Sequence, residues 1–166
     1  MKRLNLCSGQ RPFSAPWINV DAQERWNPDV VADCREMPMF EDASADMIVI
    51  HHGLEHFGCG EALGMLKECH RILAVGGVLI VFVPDMRALA QRWLARQISD
   101  QIYFTNVYGA YMGDETDRHK FGYTFFSLRE ELRIAGFSRS HSFDWREIPG
   151  ADLARDWWIL GMEAIK

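Results

Sequence analysis

The sequence has no unbroken apolar run longer than about seven residues, the longest being Val78 to Val83 with Pro84, whereas about 20 are needed to cross a bilayer. Membrane insertion is therefore not expected. It has no C-x-x-C pair: Cys7, Cys34, Cys59 and Cys69 stand apart, as reduced thiols do in a chain large enough to fold without disulfides. It has no basic cluster. The 18 Lys and Arg are scattered among 23 Asp and Glu, for a net charge of -5 and a pI near 5.6, which gives a nucleic-acid backbone nothing to bind. Met1-Lys2-Arg3 leads straight into strand-like alternation, without the apolar stretch and small-residue cleavage site of a signal peptide, so a cytoplasmic location is expected. Repeats, low-complexity tracts and Pro/Gly/Ser-rich linkers are also missing, and 166 residues suit a single domain spanning 1–166.

What is present is an alternation of strand and helix signals. Strands are expected at Arg3 to Ser8, Trp17 to Val20, Val30 to Ala32, Met47 to Ile50 and Val78 to Val83; the last two are continuous apolar runs, the pattern of strands covered on both faces of a parallel sheet. Between them, Ala62, Leu63, Leu66, Cys69, Ile72 and Leu73 recur at three- and four-residue spacing, predicting a crossover helix over Glu61 to Leu73 with Gly76 as its stop. Asp85 can cap a second helix carrying Leu89, Trp93 and Leu94. Ser127 with Glu130 reads as a capping box for a third, ended by Gly136. Phe137 to Phe143 and Trp157 to Ile165 read as closing strands. Residues 99–126 form a long connection rich in aromatic rings, from Tyr103, Phe104, Tyr108 and Tyr111 to Phe126, around the charged stretch Asp114 to Lys120. A segment of that length is uncommon unless functional, and most of its rings are expected to cover the sheet edge and complete the core.

In a parallel sheet the ligand sits outside the carboxyl ends of the strands. Asp21 ends the second strand, where a carboxylate can accept hydrogen bonds from the hydroxyls of a nucleoside ribose; Asp33 ends the third, where a purine amine would lie. Two such carboxylates at adjacent strand ends are a stronger signal than either alone, since Asp is common in turns.

Leu4-Asn5-Leu6-Cys7-Ser8-Gly9, Ile18-Asn19-Val20-Asp21, Ala32-Asp33-Cys34 through Phe40, Asp46-Met47-Ile48-Val49, His56-Phe57 and Leu73 to Gly77 together resemble the successive motifs of small class I S-adenosylmethionine-dependent methyltransferases. The resemblance implies an α/β fold with a doubly wound, mostly parallel sheet. It implies S-adenosylmethionine as cofactor, with Cys7, Ser8 and Gly9 beside its methionine part, Asp21 on the ribose, Asp33 and Cys34 at adenine, and His51 and His52 facing the sulfonium. Tyr108-Gly109, Asp117 to Thr124 and Ala135-Gly136-Phe137 are similar to bacterial methyltransferases of carbohydrate pathways, which makes a small molecule, with a sugar hydroxyl as candidate, the implied acceptor. The first loop departs from the family in keeping only Gly9. The eight residues between Ser8 and Trp17, and residues 22–29, are too few for full helices, so the fold is expected to be trimmed of helices after its first two strands.

His52 and His119 are the candidate catalytic bases, because imidazole titrates near neutrality. His52-Gly53-Leu54-Glu55-His56 also spells H-x-x-E-H, a string found in zinc hydrolases. It follows directly on a buried strand and contains Gly53, so the zinc reading is set aside and no metal ligand is assigned. A protein that keeps the fold but binds or regulates without turnover is the alternative to an enzyme.

Overall fold

In the computed structural model, which describes residues 1–110, 115–144, 148 and 157–166, one seven-stranded sheet organises the chain. Its strands are β1 (Lys2–Leu6), β2 (Trp17–Asp21), β3 (Val30–Val31), β4 (Ala45–His51), β5 (Leu73–Pro84), β6 (Arg139–Ser142) and β7 (Ile159–Ile165), in the order β3-β2-β1-β4-β5-β7-β6. The first five pair in parallel; β7 runs antiparallel between β5 and β6. The order reverses between β1 and β4, the switch point at which a doubly wound sheet opens a crevice.

Helix α1 (Cys59–Ile72) is the crossover from β4 to β5. It runs straight into β5 at Leu73, so the expected stop at Gly76 is not its end; Gly76, with φ +77°, lies inside the long strand. Its first turn is closed by the Glu61 carboxylate, which accepts from the Gly58 N–H at 3.0 Å. Asp85 caps α2 (Met86–Leu94), accepting from the backbone of Arg87 and Ala88. Helix α4 (Phe125–Ala135) starts a turn earlier than expected: Thr124 is the cap and Ser127 its partner, while Glu130 pairs with Arg133 on the surface. Gly136, at φ +108°, ends it. Residues 99–126 are not a structureless connection, because Ser99 caps a helix, α3 (Asp100–Tyr108), that buries none of its residues. Tyr111 and Asp114 lie outside the described residues.

Alternation along the central strands splits the core in two. Leu4, Leu6, Ile48, Ile50, Leu79 and Val81 point to the face covered by α1 and α4, where Leu66, Ile72, Leu128 and Leu132 are fully buried. Val49, Ile80 and Phe82 point the other way and are covered by Phe13, Ile148 and Phe143. That second face carries loop residues because β1 and β2 are followed by no α-helix; the chain returns through residues 7–16 and a short 3-10 turn at Glu24–Trp26. Among the described rings of the aromatic segment only Tyr123 is fully enclosed; Phe121 and Phe125 pack against the core, whereas Phe104, Tyr108 and Phe126 are exposed and do not complete it.

Candidate functional site

Three strand ends and the segment after α3 build the site. Leaving β1, the backbone at Cys7 takes a left-handed φ of +54°, and leaving β4 it does so again at His52, φ +52°. Non-glycine residues rarely adopt this conformation, and it tends to occur where function requires a sharp turn. At His52 the turn leads into a 3-10 turn, Leu54–His56, so H-x-x-E-H is not an α-helix and does not set two histidines on one helical face.

Two cavities meet here. The first, about 590 Å³, is lined by Cys7, Gly9, Asp21, Asp33, Cys34 and His52, with Trp26, Phe57 and Lys120 on its walls. The second, about 490 Å³, is lined by Ser8, His51, His52, Glu55, His119 and Trp158, among others. Cys7, Gly9, Gln10, His52, His56 and Asp117 belong to both. The expected cofactor residues thus divide: Cys7, Gly9, Asp21, Asp33 and Cys34 reach the first cavity, whereas Ser8 and His51 line only the second. The expected bases also divide, His52 standing at the junction and His119 in the second cavity alone.

The carboxylates are already anchored. Asp21 accepts from the Gly9 N–H at 2.9 Å and the Gln23 N–H at 2.8 Å, which fixes the loop after β1 to the end of β2. Each oxygen keeps a further lone pair for a ligand. Asp33 is held by the Arg35 guanidinium, which keeps its carboxyl below the usual range and in turn pairs with Glu61. Arg35 and the rings of Trp26 and Phe57 carried no periodic signal, and the sequence reading missed them. An aromatic residue in a polar loop, such as Trp26 before Asn27-Pro28, is the hint that could have found one.

Across the junction, His52 Nδ1 lies 3.0 Å from Glu55 Oε1. Burial opposes ionisation of Glu55, but the hydrogen bond from His52 and the electrostatic influence of the His52, His56 and His119 rings outweigh it and hold the carboxyl low. Burial pushes His51 down to about 3, helped by the charges of His52 and Arg11. Cys7 lies 3.9 Å from Cys34, Sγ to Sγ, and the hydrogen bond to Cys34, then burial, push its thiol up. A raised thiol does not favour the thiolate that a nucleophile needs. The segment after α3 closes over the strand ends: Gln23 Nε2 donates to Thr116 Oγ1 at 2.8 Å, and the Lys120 and Phe121 N–H groups donate to the Glu55 carbonyl.

A family model described as a methyltransferase domain matches residues 13–81. The fold is that of the class I methyltransferases. Solved structures agree on the fold. An S-adenosylmethionine-dependent methyltransferase from Archaeoglobus fulgidus superposes with a TM-score of 0.67 at 17% identity, over 99% of this chain and 86% of the other. One from Thermotoga maritima gives 0.65 at 18% identity, over 99% and 82%, and one from Methanosarcina mazei gives 0.61 at 17%, over 99% and 90%. No curated protein matches the sequence directly. A methyltransferase domain implies S-adenosylmethionine as cofactor, and the residues present suit it: the first cavity is of small-molecule size, has carboxylates at two strand ends and carries aromatic walls. The loop at Gly9 leaves its would-be Cβ position nearly open. Among the described residues no helix is long and apolar enough to cross a membrane.

Proposed function

We propose that this protein is an enzyme that transfers a methyl group from S-adenosylmethionine to a hydroxyl of a small molecule, with a sugar as the favoured acceptor. The observation that carries the reading is the meeting of two cavities at His52. When bound in the first, the cofactor supplies an electrophilic methyl group on a sulfonium. Asp21 would accept from its ribose hydroxyls, with Trp26 and Phe57 as walls for the adenine and Asp33 and the Cys34 backbone to address its edge. His51, next to His52 on the side of the second cavity, is kept unprotonated by burial, so it would add no positive charge against a sulfonium at the junction.

The second cavity takes the acceptor. Asn5, Gln10, Arg11 and Asn106 offer polar groups and Trp158 a ring face, the mixture that recognises a sugar. His52 is the base. Glu55 accepts from its Nδ1–H, which leaves Nε2 with a lone pair for the acceptor's hydroxyl proton. Nε2 would take that proton as the cofactor gave up its methyl group to the acceptor oxygen, with S-adenosylhomocysteine as the other product. His119 presents a second ring nitrogen to the same cavity. Residues 116–121, tied to Gln23 and to the Glu55 carbonyl, would help to screen the site from water and to fix the alignment, which is most of what methyl transfer requires.

Titration with S-adenosylhomocysteine and transfer of labelled methyl to a panel of sugars and small hydroxyl compounds test this together. Asp21→Ala should weaken S-adenosylhomocysteine by roughly ten- to a hundredfold, the effect of losing charge-assisted hydrogen bonds. His52→Ala should keep that affinity and lower turnover by about 10²–10⁴. No binding by the native chain would remove the cofactor reading; binding with no transfer to any acceptor would favour a protein that has kept the site without the reaction.

A further inference from the structure

Glu55, His56 and His119 are close enough to share one ion. One ligand atom from each lies within 4.8 Å of the others, against roughly 3.3–3.5 Å for the ligands of a tetrahedral ion with bonds near 2.0–2.2 Å. Side-chain rotation on binding would have to close the difference.

Two independent features prepare these groups for a cation. The first is the state of the rings. His56 Nδ1 lies 3.2 Å from the Arg118 carbonyl and His119 Nδ1 lies 2.8 Å from the Asn106 carbonyl. A carbonyl only accepts, so each Nδ1 donates and Nε2 is the nitrogen left to meet a ligand, the arrangement by which metal-binding histidines are oriented. The second is an orphaned oxygen. Glu55 is 1% exposed, its Oε1 takes His52, and its Oε2 is buried without a hydrogen-bond partner. Buried polar atoms in folded proteins are almost always satisfied, and an anionic one calls for a cation.

The scaffold is pinned from both sides. The N–H groups of Lys120 and Phe121 donate to the Glu55 carbonyl, and that of His119 to the Tyr108 carbonyl. The ligands are thus held by backbone as well as by their own rings. All three line the second cavity, so an ion here would have three protein ligands and a position open to solvent or acceptor, as catalytic rather than structural sites do. In H-x-x-E-H the first histidine is then no ligand: His52 orients Glu55, and the third protein ligand comes from far along the chain.

We propose that Glu55, His56 and His119 bind one divalent transition-metal ion of zinc type beside the acceptor cavity. Two imidazoles and one carboxylate suit zinc and its first-row neighbours and not calcium or magnesium, which take oxygen. This departs from the absence of metal ligands expected from the sequence. With an acceptor oxygen in the open position, the ion acts as a Lewis acid that makes the hydroxyl proton easier for His52 to remove. That role rests on the reading of the second cavity as the acceptor site, but binding of the ion does not.

The test is titration of the chelator-treated full chain with cobalt(II), followed by its visible absorption, then displacement by zinc(II). Saturable binding of one ion per chain is expected, lost by about a hundredfold or more in His119→Ala and in Glu55→Gln, and reduced about 10–100-fold in His52→Ala, which removes only the orienting partner. The exposed His141→Ala on β6 should bind like the native chain. Circular dichroism and S-adenosylhomocysteine titration of each variant establish that it is folded; if Glu55→Gln is not, His119→Ala alone decides. No saturable binding, or binding unchanged in folded His119→Ala, would overturn the proposal. S-adenosylhomocysteine binding without metal binding defeats this inference alone, while metal binding without S-adenosylhomocysteine binding defeats the methyltransferase reading and leaves the ion site standing.

Discussion

Glu131 on α4 illustrates the cost of one buried carboxyl. It is 9% exposed, with Oε1 facing the Cys59 thiol and Oε2 the Tyr123 hydroxyl, each at 3.4 Å. These contacts help its charge less than burial hinders it, so its pKa is raised from the ordinary 4.5. A carboxyl raised in the fold stabilises that fold while protonated and loses the advantage as pH climbs from the unfolded value through the folded one. Glu131→Gln carries no charge to bury. Its melting temperature should match the native chain below about pH 4.5 and exceed it increasingly as the solution becomes neutral, in scans across pH. A constant difference at every pH would show that packing, not ionisation, governs the position. At the same scale, Asp21 and Asp33 were legible because strand-end carboxylates answer to the topology. Glu55 and His56 were legible only as letters of a string, because their partners are the carbonyl of Arg118 and the ring of His119, brought there by the fold.

Among the elements, α4 depends on its cap more visibly than the others. Thr124 accepts from the Ser127 N–H and Ser127 Oγ accepts from the Thr124 N–H, closing both ends of the first turn. Thr124→Ala should therefore cost about 1 kcal/mol, a fall of roughly 2–4 °C in Tm for a domain of this size; Glu130→Ala, which removes only a surface pair, should cost less. Calorimetry of the two variants compares them directly. Strands β4 and β5 were legible because burial on both faces gives unbroken apolar runs, and α1 because its buried stripe recurs at helical spacing. Helix α3 was not legible, since a helix that buries nothing leaves no periodicity to read. What marks it is local chemistry, Ser99 ahead of Asp100, with the Ser99 hydroxyl accepting from Ile102. The start of α4 was misplaced for a related reason: Ser127-x-x-Glu130 satisfies the capping pattern, but Phe125 packs against the core and draws the helix back by a turn.

On the scale of the whole molecule, the parallel half follows from apolar runs and strand-end acids, whereas the direction of β7 does not. A strand inserted between β5 and β6 alternates in the same way whether it runs up or down. Its buried side holds Leu160, Met162 and Ala164, and Met162 pairs with both neighbours, facing Val81 on β5 and Ser142 on β6. Met162→Ala should cost about 2–5 kcal/mol through the lost contacts and the cavity left behind, lowering Tm on the order of 10 °C, with cofactor affinity retained because the site lies across the sheet. Equilibrium unfolding with and without S-adenosylhomocysteine measures both. The late position of β7 in the chain has a further consequence during synthesis. A ribosome makes β5 long before it reaches Ile159, and at about 5–20 residues per second the nascent chain spends several seconds with that apolar strand open along one edge. Such an edge invites pairing with any extended neighbour, so a crowded polysome is expected to lower the yield of native protein and a chaperone that reaches the strand before its own partner arrives to raise it.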